Sequence, residues 1–185
     1  TKTLSVIGGA ALDVKTLKAL GTGTEIFVGQ SKDQPNGIDS TSGVLAANLF
    51  NLNGASLVID PEFNKEASFA GADIFGNDAQ AEDAGIVHGN IYALQNAIAS
   101  IGNKDEKEVK AKFAQFLDAK TGSLQQDGVG AIAYVAKNVK INDGSKIVVD
   151  PTATDKTYNA TANTTEYNNG DLYLGKGAAL AVDVS

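Results

Sequence analysis

Apolar side chains alternate with small or polar ones in four short stretches of the chain, each opening on a turn residue. Val, Ile, Leu or Tyr at every second position predicts a β-strand, and Asn-Gly or Asp-Gly provides the positive φ of a tight turn. Pro61 and Pro151 should end their strands, because proline cannot donate to a β-ladder. The four stretches are Gly9–Val14, Asn53–Pro61, Asp143–Pro151 and Lys176–Asp183.

The recurrence of this unit favours an all-β solenoid, in which each coil buries its inner face against the next. A β-sandwich is the alternative, because it also uses short strands joined by Asn-Gly turns. The small residues at the corners favour the solenoid, whereas the uneven spacing of the units favours the sandwich. We predict a mainly β solenoid that forms a single unit over residues 1–185.

The middle of the chain, residues 79–137, has a different period of about 3.6 residues and predicts a helical insertion. One helix should carry Ile91, Leu94, Ile98 and Ile101 and end at Gly102. A second helix should begin at an Asp105 N-cap and end near Thr121 and Gly122. A third short segment, from Gly128 to Lys137, fits either a helix or a strand.

Few side chains suggest chemistry. His88 is the single histidine, and we interpret it as a capping or partly buried residue rather than a general base. The stretch Gly71–Asp78 resembles one unit of a calcium-binding nonapeptide, but it occurs once and lacks the Gly-Gly pair, so a turn is favoured. Asp78, Glu82 and Asp83 could bind a divalent cation weakly, although they fit a helix N-terminus better.

Other site patterns are absent or uninformative. The chain contains no GxxxxGK[ST] or GxGxxG loop for phosphate, and no acidic pair lies in a glycosidase motif. Asn159 and Asn163 begin N-glycosylation triplets, which arise by chance in a stretch so rich in Thr and Asn. We therefore predict no catalytic, cofactor-binding or metal-binding residue.

Composition restricts the partners. The 185 residues carry a net charge of -7, and all 15 basic residues are lysines, so we expect no nucleic-acid partner. There is no Cys for disulfides or thiolate chemistry, and no apolar run of about 18–20 residues that would predict a membrane span. Because the chain opens on Thr1 and closes on a strand-like stretch, we expect a piece cut from a longer protein.

Two strings, Asn142–Pro151 and Asn168–Asp183, resemble the passenger regions of bacterial autotransporters, the type V secreted, adhesin-like proteins. The resemblance covers residues 1–78 and 138–185. It implies a right-handed parallel β-helix, displayed outside the cell on the bacterial surface. It further implies an adhesive or structural segment rather than an enzyme, with no cofactor.

The partner implied by this resemblance is a surface glycan or a protein receptor, and self-association is possible. Two alternatives stay open. One is a polysaccharide lyase or hydrolase built on a β-helix, although lyases of this architecture usually need a basic residue, often Arg, which this chain lacks. The other is a C-terminal passenger segment that nucleates folding during export.

Overall fold

The computed structural model describes residues 2–30, 42–61, 66–75, 85–103, 130–136, 139–142, 144–150, 164–167, 170–174 and 178–182. These residues form thirteen strands in one sheet and, within the described ranges, no helix. The strands are β1 (Lys2–Val6), β2 (Ala11–Leu20), β3 (Thr24–Gly29), β4 (Val44–Asp60), β5 (Ala67–Phe75), β6 (Ile86–Leu94), β7 (Ala97–Ile101), β8 (Ile132–Val135), β9 (Lys140–Ile141), β10 (Lys146–Asp150), β11 (Thr164–Tyr167), β12 (Gly170–Leu174) and β13 (Ala179–Val182).

The predicted mainly β fold is confirmed, and the strand pairing is parallel apart from the pair β11–β12. Parallel neighbours cannot be joined by two-residue hairpins, so the chain must travel around the molecule before it can pair with an earlier strand. The strands curl into a half-barrel. This pairing differs from the antiparallel layers of the β-sandwich alternative.

The long strand β4 shows how the sheet curves. Its inward side chains are Leu45, Ala47, Phe50 and Leu52, and all four are fully buried. Asn48 and Leu49 lie between them and both point away from the core, so alternation is interrupted and the strand bends there. A second bend follows at Gly54, whose φ is 70°. The two bends divide β4 into three short sections: the first lies before Asn48, the middle one runs from Leu49 to Asn53, and the third follows Gly54. The strands that pair with each of them form the first, middle and third sections of the sheet.

The first section contains the beginnings of β2 and β4, followed by β5, β7, β8 and β13 as successive neighbours. The third section contains β1, β3, the end of β4, the second half of β6, β10 and β12. The middle section lies between the two bends. Each section thus brings residues that are distant in sequence to equivalent positions on neighbouring strands.

The inward side chains of all three sections form one core. In the first section, Leu45 lies opposite Phe69, which lies opposite Ala99. The large ring of Phe69 fits because Gly71, on the same strand, has no side chain: a Cβ there would lie 2.9 Å from the ring. Phe69 also packs against Phe50, with ring centroids 5.0 Å apart. Burying a side chain of this size stabilises the fold by about 1.5–3 kcal/mol.

The corners depend on glycine. Gly54 and Gly144 follow Asn53 and Asp143 with φ of 70° and 76°, a conformation that side-chain-bearing residues rarely adopt. Gly89 occupies the equivalent corner of β6 for another reason, because a Cβ there would collide with the Ala55 carbonyl oxygen. Beyond these corners, β4 ends at Asp60 and β10 at Asp150, where the Asp-Pro pattern predicts strand ends.

The predicted helix through Ile91 and Ile101 is wrong. These residues lie in β6 and β7, which are separated by a turn at Gln95 and Asn96. Both faces of the second half of β6 are buried, because Ile91 joins the core while Leu94 joins a second apolar cluster outside it. A strand buried on both faces lacks polar alternation, and a turn between two such strands can imitate helical spacing.

The rest of the predicted insertion is divided in the same way. Ile132–Val135, in the segment that fits either a helix or a strand, is strand β8, paired with β7. The helix predicted from Asp105 to Thr121 lies outside the described residues. The helical insertion over residues 79–137 is therefore not supported, and its described parts belong to the sheet.

Candidate binding surface

The outer face of the third section carries a row of apolar and aromatic side chains, which we call the outer ladder. The strand registers place each member directly opposite the next on the neighbouring strand. Its members alternate along their strands with core residues such as Ile26, Leu57 and Ile91, so they point away from the core. The outer ladder consists of Phe27, Val58, Tyr92, Val148 and Tyr173.

The outer ladder is an apolar cluster separate from the core. Val58 is fully buried and Tyr92 is only 6% exposed, whereas Tyr173 is half-buried. Burial also raises the pKa of Tyr92 above its usual value, because the phenolate would lose its hydration. Four of its five members are at most 7% exposed, so the ladder is an apolar layer largely covered from solvent, and Tyr173 is its most exposed member.

A row of polar side chains, which we call the polar strip, runs beside the outer ladder. Glu25, Ser56, Asn90 and Lys146 lie opposite one another on successive strands, and all four are half-buried. Neighbouring strands are about 4.8 Å apart, so the strip spans about 14 Å over its three intervals. It presents a carboxylate, a hydroxyl, an amide and an ammonium group along a nearly straight line.

Lys146 connects the polar strip to the outer ladder. Its Nζ lies 5.5 Å from the ring centroid of Tyr92 and 5.9 Å from that of Tyr173. Both rings are diagonal neighbours of Lys146 on the two adjoining strands, because Lys146 lies directly opposite Asn90 and Asp171. Cation–π attraction to two rings holds the ammonium group close to the sheet.

This arrangement suits an extended polar ligand. Half-buried hydrogen-bonding groups repeat at the strand spacing, and the half-buried ring of Tyr173 lies beside Lys146, so a chain of sugar units or an extended peptide could follow the strip. Within the described residues, no group of three or more His, Asp or Glu side chains is placed to hold a metal ion.

His88 lies within β6 rather than at the start of a helix. Strand registers align it with Asn53 on one side, and the neighbouring pairs of β6 and β9 place it level with Asn142 on the other. Its Nδ1 is 3.1 Å from the Asn142 Nδ2 atom. Because an amide nitrogen can only donate, Nδ1 is the acceptor. The contact joins β6 to the residue that follows β9 and indicates a structural role.

The remaining sequence candidates separate into two groups. Gly71–Phe75, the beginning of the calcium-like stretch, lies in β5 rather than in a turn. The other group falls outside the described residues: Asp78, Glu82, Asp83, Asn159 and Asn163.

Sequence reasoning missed Tyr92, because it lay inside the predicted helix. The corner glycines give no usable signal. Gly89 follows His88 as Gly54 follows Asn53, but β4 has one extra residue at this corner, so aligning the two glycines would place Tyr92 beside Leu57 instead of Val58. The pairing of Lys146 with two tyrosines carries no local signal either, since it depends on the register of three distant strands.

Comparison with known proteins gives no relative: no family model, no curated protein and no solved structure matches the chain. The described residues contain no helix with the length and apolar character needed to cross a membrane.

Proposed function

We propose that the chain is an adhesive segment of a bacterial autotransporter passenger, displayed on the cell surface. In this proposal the three sections close into a right-handed parallel β-helix. The partner is a surface glycan or an extended part of a protein receptor, bound along the polar strip. No turnover of the ligand is involved.

The observation that carries the proposal is the alignment of the polar strip with the outer ladder across successive parallel strands. A stack of parallel strands repeats its outer side chains at one spacing, so it offers a regular series of contacts to a ligand that is itself repetitive. Such a surface gains affinity from several modest contacts rather than from one deep pocket.

Asn90 and Lys146 are the central test of this surface. They lie opposite each other and supply an amide and an ammonium group next to Tyr92. We expect the wild-type chain to bind members of an array of glycans and matrix proteins. The double variant Asn90→Ala, Lys146→Ala should bind at least about tenfold more weakly, since it loses one neutral and one charged hydrogen-bonding group.

Lys140→Ala provides the matched control, because Lys140 is an exposed lysine on β9, away from the polar strip. This variant should keep wild-type binding. Absence of binding by the wild-type chain, or equal binding by the double variant, would contradict the proposed surface. Cleavage of any glycan on the array would instead support the enzymatic alternative.

Surface display is tested separately in the source bacterium. Protease added to intact cells should degrade the chain, as detected with an antibody against it, while a cytoplasmic marker survives. Complete protection of the chain in intact cells, followed by degradation after lysis, would place it inside and reject the adhesive role.

A further inference from the structure

Strand β2 forms one edge of the first and middle sections. Among the described strands it pairs only with β4. Leu20, in β2, is 47% exposed, and Leu4, in the other edge strand β1, is 40% exposed. Leu12, Val14 and Leu17 are only partly buried where they pack against the end of the core. An edge of this kind is able to add a further strand.

The backbone shows which residues of β2 face this edge. The Ala10 carbonyl accepts from the Val44 N–H at 3.0 Å, and the Gly21 N–H donates to the Asn53 carbonyl at 2.8 Å. The residues of β2 whose side chains point inward therefore direct their N–H and C=O groups towards β4. The residues whose side chains point outward direct these groups to the open edge. They include Ala11, Asp13, Lys18 and Leu20.

The side-chain pattern of β2 is symmetric about the point between Lys15 and Thr16. Leu12 and Val14 point inward before this point, and Leu17 and Ala19 point inward after it, while Lys15 and Thr16 are both exposed. The strand bends at this midpoint, as β4 does at Asn48 and Leu49. The sequence of inward and outward positions is consequently the same in both directions along the strand.

We propose that two copies of this chain pair through β2, with the strands antiparallel and a two-fold axis passing between Lys15 and Thr16. Asp13 then lies opposite the partner's Lys18, and the reverse pair repeats across the axis. Val14 lies opposite the partner's Leu17, which extends the partly buried end of the core. The bend matches as well, because the two-fold axis passes through it.

Charge complementarity indicates that the strand added at the β2 edge comes from a second copy of this chain. Lysines on an edge strand usually prevent pairing, because they meet other lysines or apolar surface. Here the antiparallel register gives each Lys18 a carboxylate and each Lys15 the partner's Thr16. Asp13 and Lys18 lie five residues apart on one extended strand, so this pair can form only between copies.

Strand β1 sets the shape of the dimer. It adds one strand beyond β3 in the third section, whereas β2 is the last strand of the other two sections. When two copies join through β2, the projecting β1 strands keep their third sections apart. The two copies therefore meet at an angle that is open on the side of the β1 strands. This dimer is independent of the proposed receptor, because the polar strip lies on the third section, away from the β2 edge.

Sedimentation equilibrium over a range of concentrations tests the proposal on the 185-residue chain. The wild type should reach a dimer. Asp13→Lys and Lys18→Asp should each weaken dimerisation at least about tenfold, because two attractive cross-strand pairs become repulsive. Mixing the two single variants should restore a dimer, since the Lys-bearing and Asp-bearing edges then complement each other. The double variant Asp13→Lys, Lys18→Asp should also dimerise.

Lys140→Asp is the control for charge, because it makes the same change at an exposed lysine away from β2. It should dimerise as the wild type does. Circular dichroism establishes that each variant remains folded, and the mixing experiment is informative even if one variant is less stable. A monomeric wild type, or a dimer that neither single variant weakens, overturns the proposal. A mixture of the single variants that stays monomeric overturns it as well.

Discussion

Replacing Phe50 by alanine tests the inward register of the sheet most directly. Phe50 is completely buried in the middle section, opposite Leu17 on β2 and Ile74 on β5, and its ring packs against Phe69. Removing a buried phenylalanine ring costs about 3–5 kcal/mol, because apolar burial is lost and a cavity remains. That loss is a large part of the total stability of a domain, which is about 5–15 kcal/mol.

Urea unfolding followed by circular dichroism measures the effect. With a slope of about 2 kcal/mol/M, a loss of about 4 kcal/mol lowers the midpoint by about 2 M. Phe50→Leu retains most of the volume and should cost about 1 kcal/mol. Val44→Ala lies on the same strand, but Val44 is 38% exposed, so the free energy of unfolding of this variant should stay within about 0.5 kcal/mol of the wild-type value. Equal midpoints for Phe50→Ala and Val44→Ala would refute the inward assignment of Phe50.

Two further predictions concern the corners. Gly89→Ala should unfold at much lower urea than Gly144→Ala, because a Cβ at Gly89 meets the Ala55 carbonyl oxygen and lies 3.0 Å from Leu52 Cγ, whereas Gly144 has open space. Gly144→Ala should cost only what a positive φ costs a residue with a side chain, about 1 kcal/mol. The opposite order of midpoints would contradict the close approach of Gly89 to the Ala55 carbonyl oxygen. Nitrogen chemical shifts of neutral His88 should show the proton on Nε2, because Nδ1 accepts from Asn142. A proton on Nδ1 would exclude that contact. Asn142→Ala should reduce the preference of neutral His88 for the tautomer with its proton on Nε2.

The corner chemistry and the strand ends could be predicted from single stretches of sequence. Asn53-Gly54 and Asp143-Gly144 indicated tight turns, and both glycines have positive φ. Alternation in β4 and β10 indicated strands that end before proline. These features are local: a left-handed backbone conformation and a missing N–H group act within two or three residues.

The middle of the chain shows where local pattern failed. Ile91, Leu94, Ile98 and Ile101 have helical spacing, yet they occupy two strands, because tertiary burial on both faces of β6 removed the alternation that identifies a strand. The polar strip was equally hidden, since Glu25, Ser56, Asn90 and Lys146 are separated by unequal lengths of chain and are aligned only by pairing of their strands.

The sequence alone determined a mainly β chain, its glycine corners and the absence of cysteine and arginine chemistry. Tertiary structure decided which strands became neighbours, and with them the parallel registers, the outer ladder and the position of Lys146 over two tyrosine rings. The physical reason is that strand conformation depends on nearby residues, whereas register depends on the summed burial of side chains from distant segments. Only the packed core, in which Phe69 takes the space left by Gly71, selects one register among the alternatives.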